Sequence, residues 1–125
     1  MIGYVTLGTN DMERGAKFYD ALLGELGAKR YMDMETFIAW SVTPGQPAVA
    51  IIKPNDGNAA TVGNGVMIAL AVKDSDQVNA IYNKAIELGG TCEGPCGPRG
   101  DSGFYAGYFR DLDGNKLNVF CMGAG

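Results

Sequence analysis

The strongest constraint on the fold is an internal repeat. A strand-like apolar run, the start of a predicted helix and the interior of that helix each occur twice, and one offset of 63 residues (67 minus 4) relates the copies. The matching pairs are Tyr4 and Met67, Asp11 and Asp74, and Tyr19 and Tyr82. Because one offset relates all three features, the chain is predicted to contain two copies of one supersecondary unit.

The first copy begins as a strand followed by an amphipathic helix. Alternation over Ile2–Leu7 predicts a strand with one face on a core. Asn10 and Glu13 have the spacing of a capping box, which predicts the helix start. Apolar residues over Ala16–Leu26 recur at three- and four-residue spacings, and Gly27 is expected to end the helix in the left-handed conformation.

The second copy repeats this order and both copies continue as strands. Met67–Ala71 predicts a strand, Asp74 and Gln77 form the predicted cap, and Val78–Ile86 carries the apolar stripe of a helix that ends at Gly89. The later strand-like runs are Lys29–Met34, Thr36–Val42 and Ala48–Lys53 in the first copy, and a weak segment near Thr91, Phe104–Arg110 and Lys116–Met122 in the second. Each copy is therefore predicted to be β-α-β-β-β.

The segment between the copies is rich in turn residues. It contains Asp56-Gly57 and Gly63-Asn64-Gly65, which favour tight turns. A half of about 60 residues with one helix would struggle to bury enough surface alone. We therefore expect one domain over residues 1–125, with one module at about 1–54, a linker at 55–65 and a second module at about 66–125.

Composition limits the partners and the compartment. The 125 residues are 46% hydrophobic and carry a net charge of −4 without a Lys/Arg cluster, which disfavours nucleic acid and anionic membranes as partners. No apolar run approaches the ~18 residues of a membrane span, and Met1–Tyr4 has no basic leader, so a cytoplasmic location is expected. Cys92, Cys96 and Cys121 are expected to be reduced thiols.

Two segments resemble a known family. Asp11–Tyr19 with the Leu26-Gly27-Ala28 helix end, and above all Tyr108–Leu117 with its F-R-D-L-D-G-N-K run, look like the vicinal oxygen chelate superfamily. This group includes glyoxalase I, bleomycin resistance proteins, fosfomycin resistance proteins and extradiol dioxygenases. The resemblance covers essentially the whole chain. It implies an α+β fold in which two tandem βαβββ modules form a curved, cup-like mixed sheet with the helices on its outer face.

The resemblance also implies where a metal would be held. Metal-using members present a histidine on the first strand of each copy and a glutamate on the last strand, and the matching positions here are Tyr4, Met67 and Asn118. The chain contains no histidine. Neutral oxygens and a soft thioether suit the hard or borderline ions of this family poorly, and the matching strand of the first half offers only the cation Lys53. We therefore expect no metal and no cofactor.

Strand alternation assigns other roles to these positions. Val5 and Leu7 should pack under the helix, which turns Tyr4 into the predicted cup, and the same reasoning turns Met67 and Asn118 inward. Similarity to the fosfomycin-resistance branch implies that Tyr108 and Arg110 face the cup too. The predicted ligand-contacting residues are Tyr4, Trp40, Met67, Tyr108, Arg110 and Asn118.

Structural alternatives remain for most of this set. Tyr4 and Tyr108 could be core aromatics whose hydroxyls reach solvent. Met67 could fill a gap in the core, and Arg110 could tether a loop through a salt bridge. Trp40 is either a core anchor or a wall of the pocket. Asn118 stands apart, because a buried amide must find hydrogen-bond partners.

Two function classes follow. The favoured one is a metal-free, homodimeric binding protein that binds or sequesters a small, partly aromatic molecule. The alternative is a lyase or dioxygenase-type enzyme of the glyoxalase family, either metal-dependent through atypical ligands or using Tyr4 or Tyr108 as acid/base. A tyrosine base would need a nearby cation such as Lys53 or Arg110. The sequence identifies no catalytic residue.

Overall fold

A computed structural model describes residues 1–123 of the chain, and Ala124 and Gly125 lie outside the described residues. The described elements, in chain order, are β1 Tyr4–Gly8, α1 Met12–Gly24, β2 Lys29–Met34, β3 Phe37–Ser41, β4 Ala48–Ile52, β5 Ile68–Ala71, α2 Ser75–Glu87, β6 Thr91–Pro98, β7 Tyr105–Arg110 and β8 Lys116–Cys121. The order is βαβββ twice, which confirms the predicted pair of tandem modules. One compact unit comprises Met1–Val62 and the other begins at Gly63.

The two modules have the same topology. The sheet of module 1 has the order β1-β4-β3-β2, and the sheet of module 2 has the order β5-β8-β7-β6. In each sheet the first strand pairs in parallel with the last, and the other pairings are antiparallel. The helices have equal lengths, and the bounds of α2 lie 63 residues (75 minus 12) after those of α1. The repeat read from the sequence is therefore a structural repeat.

An aspartate caps the N-terminus of each helix. The Asp11 carboxylate accepts from the Arg14 amide at 3.0 Å, and the Asp74 carboxylate accepts from the Gln77 amide at 2.9 Å. These bonds satisfy one of the amides that the first helical turn leaves unpaired. The cap predicted at Asp74 is confirmed.

The cap predicted at Asn10 is wrong by one residue. The Asn10 side chain instead accepts from the Ala60 amide at 2.7 Å and donates to the Ala60 carbonyl at 3.2 Å. Asn10 thus binds the middle of the linker, and Asp11 takes the capping position. A long-range partner decided this choice, and local spacing could not reveal it.

The predicted and observed strands differ most at β6. The sequence indicated only a weak segment near Thr91, whereas β6 extends over eight residues. It contains Gly94, Pro95 and Gly97, residue types that are rare in strands, and its pairing with β7 shifts register twice. A smaller difference is β1, which begins at Tyr4 rather than Ile2.

Each helix covers one face of its own sheet. The buried residues between α1 and its sheet are Leu7, Phe18, Tyr19, Leu22, Leu23, Ile38, Trp40 and Ile51, and those between α2 and its sheet are Leu70, Val78, Ile81, Ala85, Phe109, Leu117 and Val119. Full burial of a side chain of this kind contributes about 1.5–3 kcal/mol. These residues form the core of each module.

The opposite face of each sheet carries no helix, and we call it the helix-free face. On module 1 it comprises Tyr4, Thr6, Met32, Met34, Phe37, Ala39, Ala48 and Ala50, and on module 2 it comprises Ala69, Ala71, Ala106, Tyr108, Arg110, Lys116, Asn118 and Phe120. Strand registers fix these assignments, because residues paired across strands lie on the same face.

Two further features concern the whole described chain. Neither helix within residues 1–123 is long and apolar enough to cross a membrane. The three cysteines form no disulfide; Cys92 is exposed and Cys121 is buried.

Candidate functional site

Asn118 lies at the centre of the helix-free face of module 2. It belongs to β8 and pairs with Ala69 of β5 on one side and Tyr108 of β7 on the other. Its residue surface is only 2% exposed, and its side-chain oxygen Oδ1 has no hydrogen-bond partner among the described residues. Leaving a buried acceptor unpaired costs about 1–3 kcal/mol. The folded chain thus retains an acceptor that its own donors do not satisfy.

Tyr108, the cross-strand neighbour of Asn118, lies beside two cations. The Arg99 guanidinium is 5.4 Å and the Lys116 ammonium 5.6 Å from the centroid of the Tyr108 ring. Both distances are typical of cation–π contacts. Tyr108 is half-buried and faces the same side of the sheet as Asn118, as predicted.

Arg99 is a member of the site that the sequence did not predict. Its guanidinium donates to the carbonyls of Gly97 at 2.9 Å and Pro95 at 2.6 Å, which hold the charge over the sheet. The guanidinium and the ring both lie against the β6 backbone, since a Cβ at Gly94 would be 3.4 Å from both Arg99 Nη2 and the Tyr108 ring. Recognition of β6 would have been needed to find this residue.

Arg110 faces the same side as Tyr108, and it also tethers a loop. Its guanidinium forms a 3.1 Å ion pair with Glu93 and donates to the Gly114 carbonyl at 2.8 Å. The structural alternative weighed for Arg110 is therefore realised. Arg110 is also directly paired with Lys116 in the register of β7 and β8, so two cations lie opposite each other on this face.

An aromatic pair borders the site. The rings of Phe104 and Phe120 stack at a centroid distance of 5.4 Å with planes inclined by 24°. Phe120 is two residues from Asn118 on β8 and shares its face. The face therefore offers apolar ring surface next to its polar groups.

The predicted residues Tyr4 and Met67 are both exposed. Tyr4 is 57% exposed on the helix-free face of module 1, where its ring contacts Phe37 edge-on at 5.9 Å. It is not a core aromatic. Met67 is 38% exposed and lies one residue before β5, with the same parity as Ala69.

Trp40 lies on the other side of its sheet, against α1. It is 2% exposed, its ring centroid is 5.7 Å from that of Tyr19, and its indole N–H donates to Asp20 at 2.8 Å. Of the two roles considered for Trp40, the structure shows the core anchor. The helix-free face therefore lacks this residue.

Asp20 also binds Arg30, which connects β2 to α1. The guanidinium donates twice to the carboxylate, at 2.9 and 2.6 Å. These hydrogen bonds, helped by the bond from Trp40, hold the pKa of Asp20 below its usual value. The same contacts, with Asp33 adding to them, raise the pKa of Arg30.

On the helix side of module 2, Tyr82 lies close to two thiols. A hydrogen bond with Cys92, followed by burial, raises the pKa of Tyr82 to about 12. Burial raises the pKa of the Cys96 thiol. A Cβ at Gly107 would come within 2.9 Å of both Cys96 Sγ and the Tyr82 ring, so the ring and the thiol pack directly on the β7 backbone.

Lys53, the other cation considered for a tyrosine base, follows the end of β4. It lines an open cleft of about 470 Å³ within module 1, together with Asn10, Thr36 and Asn58. The cleft lies at the ends of β1 and β4, where Asn10 and Lys53 follow the strands, and Ile52 of β4 also lines it.

The donors at the family's metal positions do not fit a metal ion. Tyr4 and Asn118 offer neutral oxygens and Met67 a thioether, and the one buried oxygen, Asn118 Oδ1, is a single amide ligand. Within residues 1–123 no group of three or more His, Cys, Asp or Glu side chains could hold an ion. The carboxylate of Asp111 is engaged by the amides of Asp113 and Asn115, both at 2.9 Å.

The chain is similar to known proteins in both sequence and fold. A family model described as "Glyoxalase/Bleomycin resistance protein/Dioxygenase superfamily" matches residues 1–119. The chain is similar to a glyoxalase/bleomycin resistance protein from Albidiferax ferrireducens T118, with 37% identity, 97% of this chain and 98% of that chain covered, and a TM-score of 0.87. No curated protein matches the sequence.

Two other solved structures are also similar. The hypothetical protein SA1046 from S. aureus shares 29% identity over 97% of this chain and 92% of that chain, with a TM-score of 0.72. The fosfomycin resistance protein FosX from Mesorhizobium loti shares the fold at 19% identity, over 97% of this chain and 90% of that chain, with a TM-score of 0.68.

Proposed function

The chain belongs to the glyoxalase/bleomycin resistance protein/dioxygenase superfamily, and we propose that it is a metal-free member that binds a small, partly aromatic molecule on the helix-free face of module 2. The observation that carries this proposal is Asn118 Oδ1, a buried acceptor with no partner among the described residues. A bound molecule that donates to this oxygen would remove the cost of leaving it unpaired.

The repeat supports a functional role for the residues around Asn118. Strand registers align Tyr108, Arg110, Lys116 and Asn118 of module 2 with Ala39, Ser41, Ala48 and Ala50 of module 1, respectively. Module 1 therefore builds the same strand pairings with small side chains. Since pairing does not require the larger polar residues, their presence in module 2 calls for another explanation.

The surrounding surface suits an aromatic ligand. Ligand sites combine apolar and aromatic walls with a few placed polar groups. The stacked Phe104 and Phe120 and the half-buried Tyr108 supply ring surface, and Ala69 and Ala71 leave space beside them on β5. Ring contacts of this kind contribute about 0.5–1.5 kcal/mol each beyond the area that they bury.

The metal-free part of the proposal rests on donor chemistry. The positions that hold a metal in related enzymes carry no imidazole and no carboxylate in this chain. Elemental analysis of the purified protein is expected to show no stoichiometric Zn, Ni, Fe or Mn. About one such ion per chain, lost in the Asn118→Ala variant, would contradict it.

Binding can be tested before the natural ligand is identified. A thermal-shift screen of aromatic small molecules should give binders, because a ligand of the native state raises its apparent stability. Their site can then be mapped by amide chemical shifts, which should change in β7 and β8. Asn118→Leu should weaken a hydrogen-bonding ligand about 5- to 100-fold, the cost of one lost partner in a buried site.

The matched control for that variant is Asn83→Leu, the same substitution on the exposed side of α2. It should leave affinity unchanged. If binders affect neither β7 nor β8, or bind Asn118→Leu as tightly as the unaltered protein, the site lies elsewhere.

We also propose that the chain acts as a homodimer. Each four-stranded sheet ends in two edge strands, and all six residues of β2 are exposed. Exposed edges and apolar side chains such as Tyr31, Met32 and Met34 favour cover by a partner. Light scattering should give twice the chain mass of 13.2 kDa, and a mass of one chain at micromolar concentration would contradict the proposal.

A further inference from the structure

The charge of the helix-free face of module 2 opposes that of the chain. The whole chain carries a net charge of −4. The face nevertheless gathers three cations, Arg99, Arg110 and Lys116, against one carboxylate, Glu93. Within residues 1–123 the structure shows an ion pair for Arg110 but none for Arg99 or Lys116. A local excess of positive charge on an acidic protein attracts anions to that place.

The arrangement of these cations is costly in the absence of an anion. Arg110 and Lys116 are directly opposite each other in the β7–β8 register, and like charges in such a pair destabilise a sheet. Glu93 neutralises Arg110 alone. The aligned positions of module 1 are Ser41 and Ala48, so the fold itself does not require the pair. An anion near Lys116 would relieve this repulsion.

Asn118 adds a second requirement. Its Oδ1 is an acceptor, so the ligand must donate to it. The donor should be neutral, because an ammonium group would enter a region that already holds an excess of cations. A hydroxyl or an amide N–H meets both conditions. Since Oδ1 is covered in the ligand-free chain, a neighbouring side chain must move aside on binding.

The two requirements lie on the same strand. Lys116 and Asn118 are alternate residues of β8 and point to the same side. Two residues of an antiparallel strand span about 6.8 Å. This is the spacing of the two α-carbons, and a para-substituted benzene ring is long enough to reach from one position to the other.

We infer that the ligand of this site is an oxyanion that also carries a neutral hydrogen-bond donor, with the oxyanion at Lys116 and the donor at Asn118 Oδ1. The inference rests on the proposed function and specifies the chemistry of its ligand. Aromatic hydroxy acids and aromatic amido acids are the simplest molecules of this class.

Three probes separate the two requirements. 4-Hydroxybenzoate has both groups, 4-methoxybenzoate lacks the donor, and methyl 4-hydroxybenzoate lacks the anion. In amide-shift titrations of the unaltered protein, 4-hydroxybenzoate should perturb β7 and β8 and bind about tenfold or more tightly than either of the other two.

Variants identify which residue binds the hydroxyl group of the ligand and which binds its carboxylate. Asn118→Leu should bring 4-hydroxybenzoate and 4-methoxybenzoate to equal affinity, and Lys116→Met should bring the acid and the ester closer together. The control Lys84→Met removes the same charge from α2, on the other side of the sheet, and should leave all three affinities unchanged.

The outcomes distinguish this inference from the function on which it rests. If all three probes bind β7 and β8 equally in the unaltered protein, the inference is wrong and the proposed aromatic-binding function stands. If no probe perturbs this face at millimolar concentration, the inference is wrong, and the screen of aromatic molecules described above decides the proposed function. Because the probe comparison uses the unaltered protein, a variant that fails to fold does not affect it.

Discussion

The two modules share a fold and differ in one face. On the helix side, equivalent positions hold equivalent residues: Trp40 aligns with Phe109, and both are buried against a helix. On the helix-free side, Ala39 and Ala50 align with Tyr108 and Asn118. The helix side must exclude water to stabilise each module, so it tolerates little change. The other side is where module 2 carries charge and an unpaired acceptor.

This comparison separates what folding requires from what it permits. Ala39 and Ala50 are fully buried, and they show that this sheet architecture forms with methyl groups at those positions. In module 2 the same positions carry an aromatic ring and an amide whose Oδ1 is unpaired. Asn118 lowers the stability of the fold at a position where module 1 has alanine. A role in binding explains why module 2 has it.

The largest effect is expected from substitutions at equivalent positions in the cores of the two modules. Trp40→Ala and Phe109→Ala should each lower the free energy of unfolding by about 3–5 kcal/mol, because each leaves a cavity beneath a helix. Urea denaturation measures both. The exposed Tyr4→Ala is the control and should cost far less. A small loss for Trp40→Ala would show that the modules do not use equivalent anchors.

The next effect has the opposite sign. Asn118→Leu, which replaces the unpaired amide by an apolar side chain of similar volume, should raise the stability of the ligand-free protein by about 1–3 kcal/mol. Asn83→Leu, on the exposed helix surface, should leave it nearly unchanged. Unfolding by denaturant measures the free energy of unfolding of both variants. A clear loss of stability in Asn118→Leu would show that the amide has a structural role.

The modules also differ on the helix side, where Asp20 of α1 aligns with Asn83 of α2. The ionisation of Asp20 gives a test of this difference. The pKa of Asp20 is lowered in the folded protein, so its ionised form stabilises the fold above the unfolded value of about 3.9. That contribution is lost as the pH falls through the lower folded pKa. Asp20→Asn should therefore flatten the decline of stability below about pH 4.

At neutral pH the same variant should cost about 1 kcal/mol or less, because the Asp20 side chain is 45% exposed and its pair with Arg30 is partly screened. Unfolding measured at several pH values gives both quantities. Identical pH profiles for the variant and the unaltered protein would contradict the role assigned to Asp20.

The smallest effect concerns Tyr82, which aligns with Tyr19. Its hydrogen bond with Cys92 and its burial raise its pKa to about 12. The neutral phenol therefore stabilises the fold up to about pH 10, and this contribution is lost as the pH rises toward 12. Ultraviolet titration, with Tyr82→Phe to assign the signal, should show a lower pKa in Cys92→Ala. An unchanged pKa would mean that burial alone causes the shift.

The sequence by itself determined the repeat, the βαβββ order, the family and the sides of β1, β5 and β8. These follow from local patterns, because strand alternation and helical periodicity are fixed by backbone geometry. The alternation placed Asn118 opposite Leu117 and Val119, and the register of β8 confirms it. Gly27 has the expected left-handed conformation, with φ of +80°, but it lies three residues after α1 ends at Gly24.

Only the tertiary structure decided features that depend on distant partners. It assigned Trp40 to the core through Asp20 and moved the helix cap from Asn10 to Asp11 through Ala60. It also brought Arg99 to Tyr108 from just after β6, a strand whose composition conceals it. It also showed that no described residue satisfies the oxygen of Asn118. Periodicity gives the direction of a side chain, whereas its partners depend on which segments the fold brings together.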